Sequence, residues 1–235
     1  MRSPSYPASS LALIALFAVG SNALCLGSCA DWGFVAMAAV TNLGTTSVTG
    51  KCGVSPAGSL PPLGLTCSGG KILNTPVSAQ CLADCGKAYT SGMAKPITAT
   101  IAGALGGQTL TPGVYDLTTP AGTISAGTTL TLNLPAGSTD TSAQFIIKMA
   151  STFTIGNAGK VVLGPGVQAC NVYFLVGSSA TIADDVVLKG NVLALASITV
   201  GKRLNQVGFL CAQNGGISFD SDVITNPCCQ CPNAT

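Results

Sequence analysis

From Ala30 to Ile224 the chain is written as short apolar runs cut by Gly, Ser, Asn and Pro, the punctuation of strands and turns. In the C-terminal half, three kinds of run recur in a fixed order. An apolar run comes first: Phe145-Ile146-Ile147, Val172 to Val176, Asn191 to Ala194, and Gly208 to Cys211. A run bearing Ser or Thr follows each: Ser151 to Ile155, Ser178 to Ile182, Ser197 to Val200, and Gly216 to Phe219. A third kind appears as Val161 to Leu163 and Val186 to Leu188, turning polar near Arg203 to Gln206. Thr154, Thr181, Thr199 and Ser218 hold matching places, 27, 18 and 19 residues apart. Three short strands and three turns fill 18 or 19 residues, and 27 accommodates one such unit with an inserted loop. Repeats that bury their apolar residues only by stacking on neighbours predict an all-β fold, a parallel β-solenoid of triangular cross-section.

Strand alternation assigns the faces. On the Ser/Thr side, Phe153, Ile155, Ala180, Ile182, Ile198, Val200, Ile217 and Phe219 point inward. Thr152, Thr154, Ser179, Thr181, Ser197, Thr199 and Ser218 point outward, and Thr129 and Thr131 are expected to extend their row. The first side is apolar at every position, as Val172-Tyr173-Phe174-Leu175-Val176 shows, so both of its faces must be buried.

One segment breaks the strand pattern and can supply that cover. Between about 76 and 93, Ala79, Leu82, Ala83, Ala88 and Met93 mark an apolar helix face, and Asp84 and Lys87 pair at i, i+3. Asn74 or Thr75 can cap its start, Pro76 suits the first turn, and Pro96 blocks continuation. Cys81 and Cys85 share one side of this helix, ready to staple it to its surroundings.

The extreme N-terminus belongs to a different class of segment. Arg2, the apolar run Leu11 to Val19 and the small residues Ser21-Asn22-Ala23 form the layout of a secretory signal peptide, cleaved after Ala23. A single domain over 24–235 is then expected, exported and extracellular, with a Cys-rich tail over 226–235. The apolar run is too short to span a bilayer, which needs roughly 20 residues. All 11 cysteines lie beyond the expected cleavage site, and export favours disulfides over zinc, for which no histidine is present. The odd count leaves at least one thiol free or bonded to another molecule.

Charge narrows the partners. Charged residues make up 8% of the chain and the formal net charge is +2, too little for nucleic acid or a membrane surface. Catalytic groups are equally sparse, with no His and no Glu, and Asp184-Asp185, the one adjacent carboxylate pair, reads as a solvated turn. Neither a catalytic residue nor a bound cofactor or metal is expected. A β-helix polysaccharide lyase or hydrolase would have to work from Asp184, Asp185 and Lys189, the one local cluster of charge. Sugar adhesion through the hydroxyl-rich face is the other alternative, and aromatic residues at 5% of the chain offer few stacking platforms for it.

Several runs resemble one known family. Gly50 to Gly58 (GKCGVSPAG), Leu105 to Tyr115 (LGGQTLTPGVY), Ala169 to Ile182 (ACNVYFLVGSSATI) and Lys189 to Thr199 (KGNVLALASIT) are similar to segments of the microbial ice-binding proteins. Phe145 to Ile155 and Asn214 to Phe219 fit the same order, so the resemblance spans about Asp31 to Ile224. It implies a right-handed solenoid with one long flanking helix, whose N-terminal segment closes it beside the C-terminal coils. It also implies adsorption to an ice crystal surface through one flat face, carried here onto the outward Ser and Thr positions. A monomer is expected. The extra cysteines at both ends and the uneven Ser/Thr rows depart from the family pattern.

Overall fold

The computed structural model describes residues 23–227, so all of the expected signal peptide but Ala23 and most of the Cys-rich tail lie outside the described residues. The described chain winds into three parallel sheets of nine, six and eight strands. The nine-stranded sheet runs from Ala99–Ile101 through Gly113–Leu117, Phe145–Met149, Val172–Val176, Asn191–Ala194 and Leu210–Ala212. It then jumps back to Trp32–Ala36, Lys51–Val54 and Lys71–Leu73. The coil order is therefore discontinuous, as the resemblance implies: Phe34 pairs with Leu210, Thr41 with Ser218, and Ile224 with Val48.

Parallel register makes like stack on like. Phe145, Val172 and their neighbours align along the helix-side sheet, and Phe153, Ala180, Ile198 and Ile217 align along the hydroxyl-bearing one. Inside the solenoid Phe153 stacks on Phe174 at 4.9 Å, and Phe34 lies 5.1 Å from Phe219. All eight positions expected to point inward on the Ser/Thr side are buried. One corner is turned where side chains are excluded. Gly190 and Gly208 stack with φ of +134° and +148°, and a Cβ on Gly208 would fall 2.0 Å from the Gly190 carbonyl oxygen.

The helix spans Pro76–Ala94, matching the expected segment within a residue. Thr75 caps it reciprocally with Ser78: the Ser78 amide donates to Thr75 Oγ1 at 3.3 Å and the Thr75 amide to Ser78 Oγ at 3.0 Å. Its buried face, Cys81, Cys85, Ala88 and Tyr89, packs against Trp32, Val35, Ile146, Tyr173, Leu175 and Leu193 on the outer side of the nine-stranded sheet. This is why those strands are apolar on both faces. At the helix C-terminus Lys148, 4% exposed, donates Nζ to the carbonyls of Met93 at 2.9 Å and Lys95 at 2.6 Å. A cation thereby satisfies the open carbonyls of the last turn. Burial pulls the Lys148 ammonium below the usual lysine range, with Asp116 opposing.

Disulfides fasten the same elements. Cys29–Cys81 ties the N-terminal turn to the helix, Cys85–Cys211 ties the helix to the sheet, and Cys52–Cys67 links Lys51–Val54 of the nine-stranded sheet to Leu65–Cys67 of the eight-stranded one. Cys25 and Cys170 are disulfide-bonded as well, so every cysteine among the described residues is bonded.

Cys85–Cys211 closes a separation of 126 residues. The Cys85→Ser/Cys211→Ser protein is therefore expected to lose about 2–4 kcal/mol of unfolding free energy, measured by urea denaturation, because the other cross-links already restrict the unfolded chain. A pair variant as stable as the native protein would show that apolar packing alone holds the helix.

Candidate functional site

The six-stranded sheet is the hydroxyl-bearing wall of the solenoid. Its order is Gly122–Ile124, Phe153–Ile155, Ala180–Ile182, Ile198–Lys202, Ile217–Asp220 and Val40–Asn42. The middle outward residues pair in unbroken register: Thr123 with Thr154, Thr154 with Thr181, Thr181 with Thr199, Thr199 with Ser218, and Ser218 with Thr41. Six hydroxyls thus stand in file, one per coil, over about 24 Å at a coil spacing of ~4.8 Å. The five threonines are exposed and Ser218 is half-buried.

A second file runs two residues earlier. Thr152, Ser179, Ser197 and Gly216 each offer a carbonyl to the amide of a neighbouring coil, from Gly122, Phe153, Ala180 and Ile198 at 2.9, 3.2, 3.0 and 3.0 Å. Hydroxyls therefore stand two deep on the three central coils. On the other side of the threonine file lie Ser125, Gly156, Ala183 and Gly201, aligned by the bonds Gly156 N to Ile124 O and Ala183 N to Ile155 O. These four positions carry nothing larger than serine, whereas Asp220 and Leu43 hold the corresponding places two residues past Ser218 and Thr41.

The structure brings together Thr152, Thr154, Ser179, Thr181, Ser197, Thr199 and Ser218. It does not bring Thr129 and Thr131 to them, which corrects the expectation that these extend the row. Both lie on Thr129–Leu132 in the eight-stranded sheet, paired with Lys160 and Val162. Their hydroxyl pattern is the same, but they follow the corner rather than precede it. Thr41 and Thr123 are the members that sequence reading missed. Thr123 flanks an apolar residue in Gly-Thr-Ile, the small-Thr-Ile pattern also seen at Ala180-Thr181-Ile182, and that signal could have found it. Thr41 sits far from the recurring runs, and only the discontinuous coil order places it.

The charged side chains nearest the threonine file gather at the corner where its strands end. Asn157 Oδ1 accepts from the Asp184 amide at 3.3 Å, and Asp184 Oδ1 accepts from the Lys202 amide at 2.8 Å, a side-chain ladder from coil to coil. Asp185, with φ of +60°, pairs with Arg203 at 2.6 Å, and this hydrogen bond holds its carboxyl below the usual range. The two carboxylates have separate partners, as expected of a solvated turn. Asp222 is buried and accepts from the Leu204 and Asp220 amides, each at 2.8 Å. Burial pushes its carboxyl up, the two amides oppose this, and the nearby Asp220 and Asp184 add to it. Among the described residues no group of three or more His, Cys, Asp or Glu side chains could hold a metal ion.

Comparison with known proteins places this geometry in context. A family profile described as Ice-binding-like matches residues 34–225. A protein named ice-binding protein from Nostoc sp. (strain HG1) is 33% identical over 86% of this chain and 74% of its own length. Ice-binding protein K1-A of Typhula ishikariensis is 30% identical over 78% of this chain and 82% of its own. Among solved structures, an ice-binding protein from an Antarctic biological consortium superposes with a TM-score of 0.79 at 32% identity, covering 86% of this chain and 90% of that one.

The corner ladder gives a direct test of what keeps the coils in step. Asp184→Ala is expected to cost about 1 kcal/mol in thermal unfolding, and Asp184→Asn to recover most of it, because its side-chain oxygen still accepts from Lys202. Equal losses in the two variants would assign the effect to charge.

Proposed function

The chain belongs to the ice-binding-like family, and on that premise we propose that it is a secreted ice-binding protein that adsorbs to ice through the six-stranded wall. The observation that carries this reading is the file Thr123, Thr154, Thr181, Thr199, Ser218 and Thr41, in register and flanked by Thr152, Ser179 and Ser197. Neighbouring hydroxyls repeat at ~4.8 Å between coils and ~6.7 Å along a strand, a fixed two-dimensional grid. The branched threonine side chain has few rotamers, so its hydroxyl and methyl are ordered before ice is met. Hydroxyls anchor lattice-like water and the methyls beside them order the water between. Each contact is weak, and affinity comes from many made together with little ordering cost. Adsorbed molecules force the ice front to grow in curved segments, which lowers the local freezing point.

Two other features support the reading. The two hydroxyl files carry no ionic side chain whose own hydration shell would compete with ice-like water. Disulfides at all the described cysteines favour an oxidising, extracellular setting, and no described helix is long and apolar enough to cross a membrane. Binding rather than catalysis fits the separate partnering of Asp184 and Asp185, and we read the protein as a monomer.

The experiment that tests the face is Thr181→Tyr, placed mid-file. It is expected to cut freezing hysteresis about ten-fold at a given concentration, with the unfolding midpoint unchanged. Full hysteresis in this variant would move the site to another face. Because the two files hold no titratable group, hysteresis is also expected to stay constant between about pH 5 and 9. A sigmoidal pH dependence in that interval would implicate the charged corner instead.

A further inference from the structure

The hydroxyl file does not end in solvent at Thr41. The Leu43 amide donates to the Phe219 carbonyl at 3.1 Å, so the strand Val40–Asn42 continues in register for one more residue. By alternation Leu43 then stands on the same side as Thr41. It is 88% exposed. Beyond this strand the loop between Val54 and Leu65 serves as one further coil: the Val40 amide donates to the Ser59 carbonyl at 2.8 Å and the Thr46 amide to the Gly64 carbonyl at 2.7 Å. Gly64, with φ of +75°, packs so tightly that a Cβ there would lie 2.4 Å from the Gly44 carbonyl oxygen. Leu63 and Leu43, the residues just before these two glycines, therefore occupy one corner on successive coils. Leu63 is 82% exposed.

Two neighbouring leucines held this far into water need a cause. Leu43 is fixed through its strand amide, and its neighbour Asn42 is pinned by Nδ2 donating to the Gly44 carbonyl at 2.5 Å and Oδ1 accepting from Thr46 Oγ1 at 2.8 Å. Leu63 follows Pro61 and Pro62, whose fixed φ stiffens the segment, and Lys71 Nζ donates to the Pro61 carbonyl at 2.9 Å. Neither leucine can reach the core without breaking these bonds, whereas Leu60 in the same loop does pack against it. The exposure is built in by the backbone.

We propose that Leu43 and Leu63 are ice-contacting residues, an apolar extension of the hydroxyl wall across its last corner. The inference rests on the wall being the ice-binding face. The occupant is the same ice surface, because Leu43 lies two residues past Thr41 and its amide is still bonded to the neighbouring coil of the wall. Threonine methyls already supply apolar contact along the file; the leucines add larger apolar area at its edge, where an adsorbed molecule meets the advancing front.

The test compares four purified, oxidised proteins by freezing hysteresis, thermal unfolding and sedimentation: native, Thr181→Tyr, Leu43→Ser/Leu63→Ser and Leu43→Met/Leu63→Met. The inference predicts that the serine pair lowers hysteresis at a fixed concentration by about two-fold or more, in line with lost apolar contact area, while the methionine pair retains it. Unfolding midpoints are expected to agree and all four proteins to sediment as monomers. If Thr181→Tyr abolishes hysteresis and the serine pair leaves it intact, the leucine inference is overturned and the threonine face stands. If Thr181→Tyr keeps full hysteresis, the face itself is wrong. A native protein that sediments as a dimer and becomes monomeric in the serine pair would assign the leucines to self-association and overturn the inference.

Discussion

A single coil of this solenoid cannot exist alone, because its few apolar residues are covered only when the next coil pairs with it in register. Everything else in the molecule depends on that backbone ladder. It stacks Phe153 over Ala180 over Ile198 inside, and by the same geometry it stacks Thr154 beside Thr181 beside Thr199 outside. Core and surface file are two readings of one register. A slip of one residue would exchange them, burying hydroxyls and exposing the aromatic core. The ordering of the hydroxyl file is therefore not a separate feature added to the fold.

A solenoid built this way has two costs, one along its side and one at its ends. The helix-side sheet is apolar on both faces and is satisfied only by Pro76–Ala94, which is why the helix is capped at both termini and cross-linked twice. At the ends, strand edges lie open to pairing with other chains. One end is turned over by the Pro61-Pro62 loop, where proline offers no amide to an incoming strand. At the other, Gln108 donates Nε2 to the carbonyls of Ala102 at 3.0 Å and Ala104 at 2.6 Å, closing the terminal coil on itself.

Much of this was legible in the chain. Alternation fixed the inward set from Phe153 to Phe219, and the doubly apolar run Val172 to Val176 required a cover that only one helical segment could give. What sequence could not show was adjacency across the discontinuous order. Thr41 was invisible as a neighbour of Ser218 because nothing local to it repeats the pattern. Thr129 and Thr131 carried the right alternation on the wrong side of a corner, since composition does not say where a corner falls. Gln206 was a similar trap: its polarity suggests an outward residue, yet register drives it inside, where Nε2 donates to the Gly190 carbonyl at 3.1 Å. When pattern and polarity disagree, the ladder decides.

The closure of the solenoid by its own N-terminal segment has a temporal meaning. Trp32–Ala36 lies between Lys51–Val54 and Leu210–Ala212, and the latter is synthesised long after it. Contacts of such high sequence separation slow folding and leave edges waiting. The last coil to join is also the one that links Thr199 to Thr41 through Ser218. A chain that is truncated, stalled or cut near its C-terminus would thus hold its surface array as two unconnected fragments. The continuous array is in effect a mark of a finished molecule.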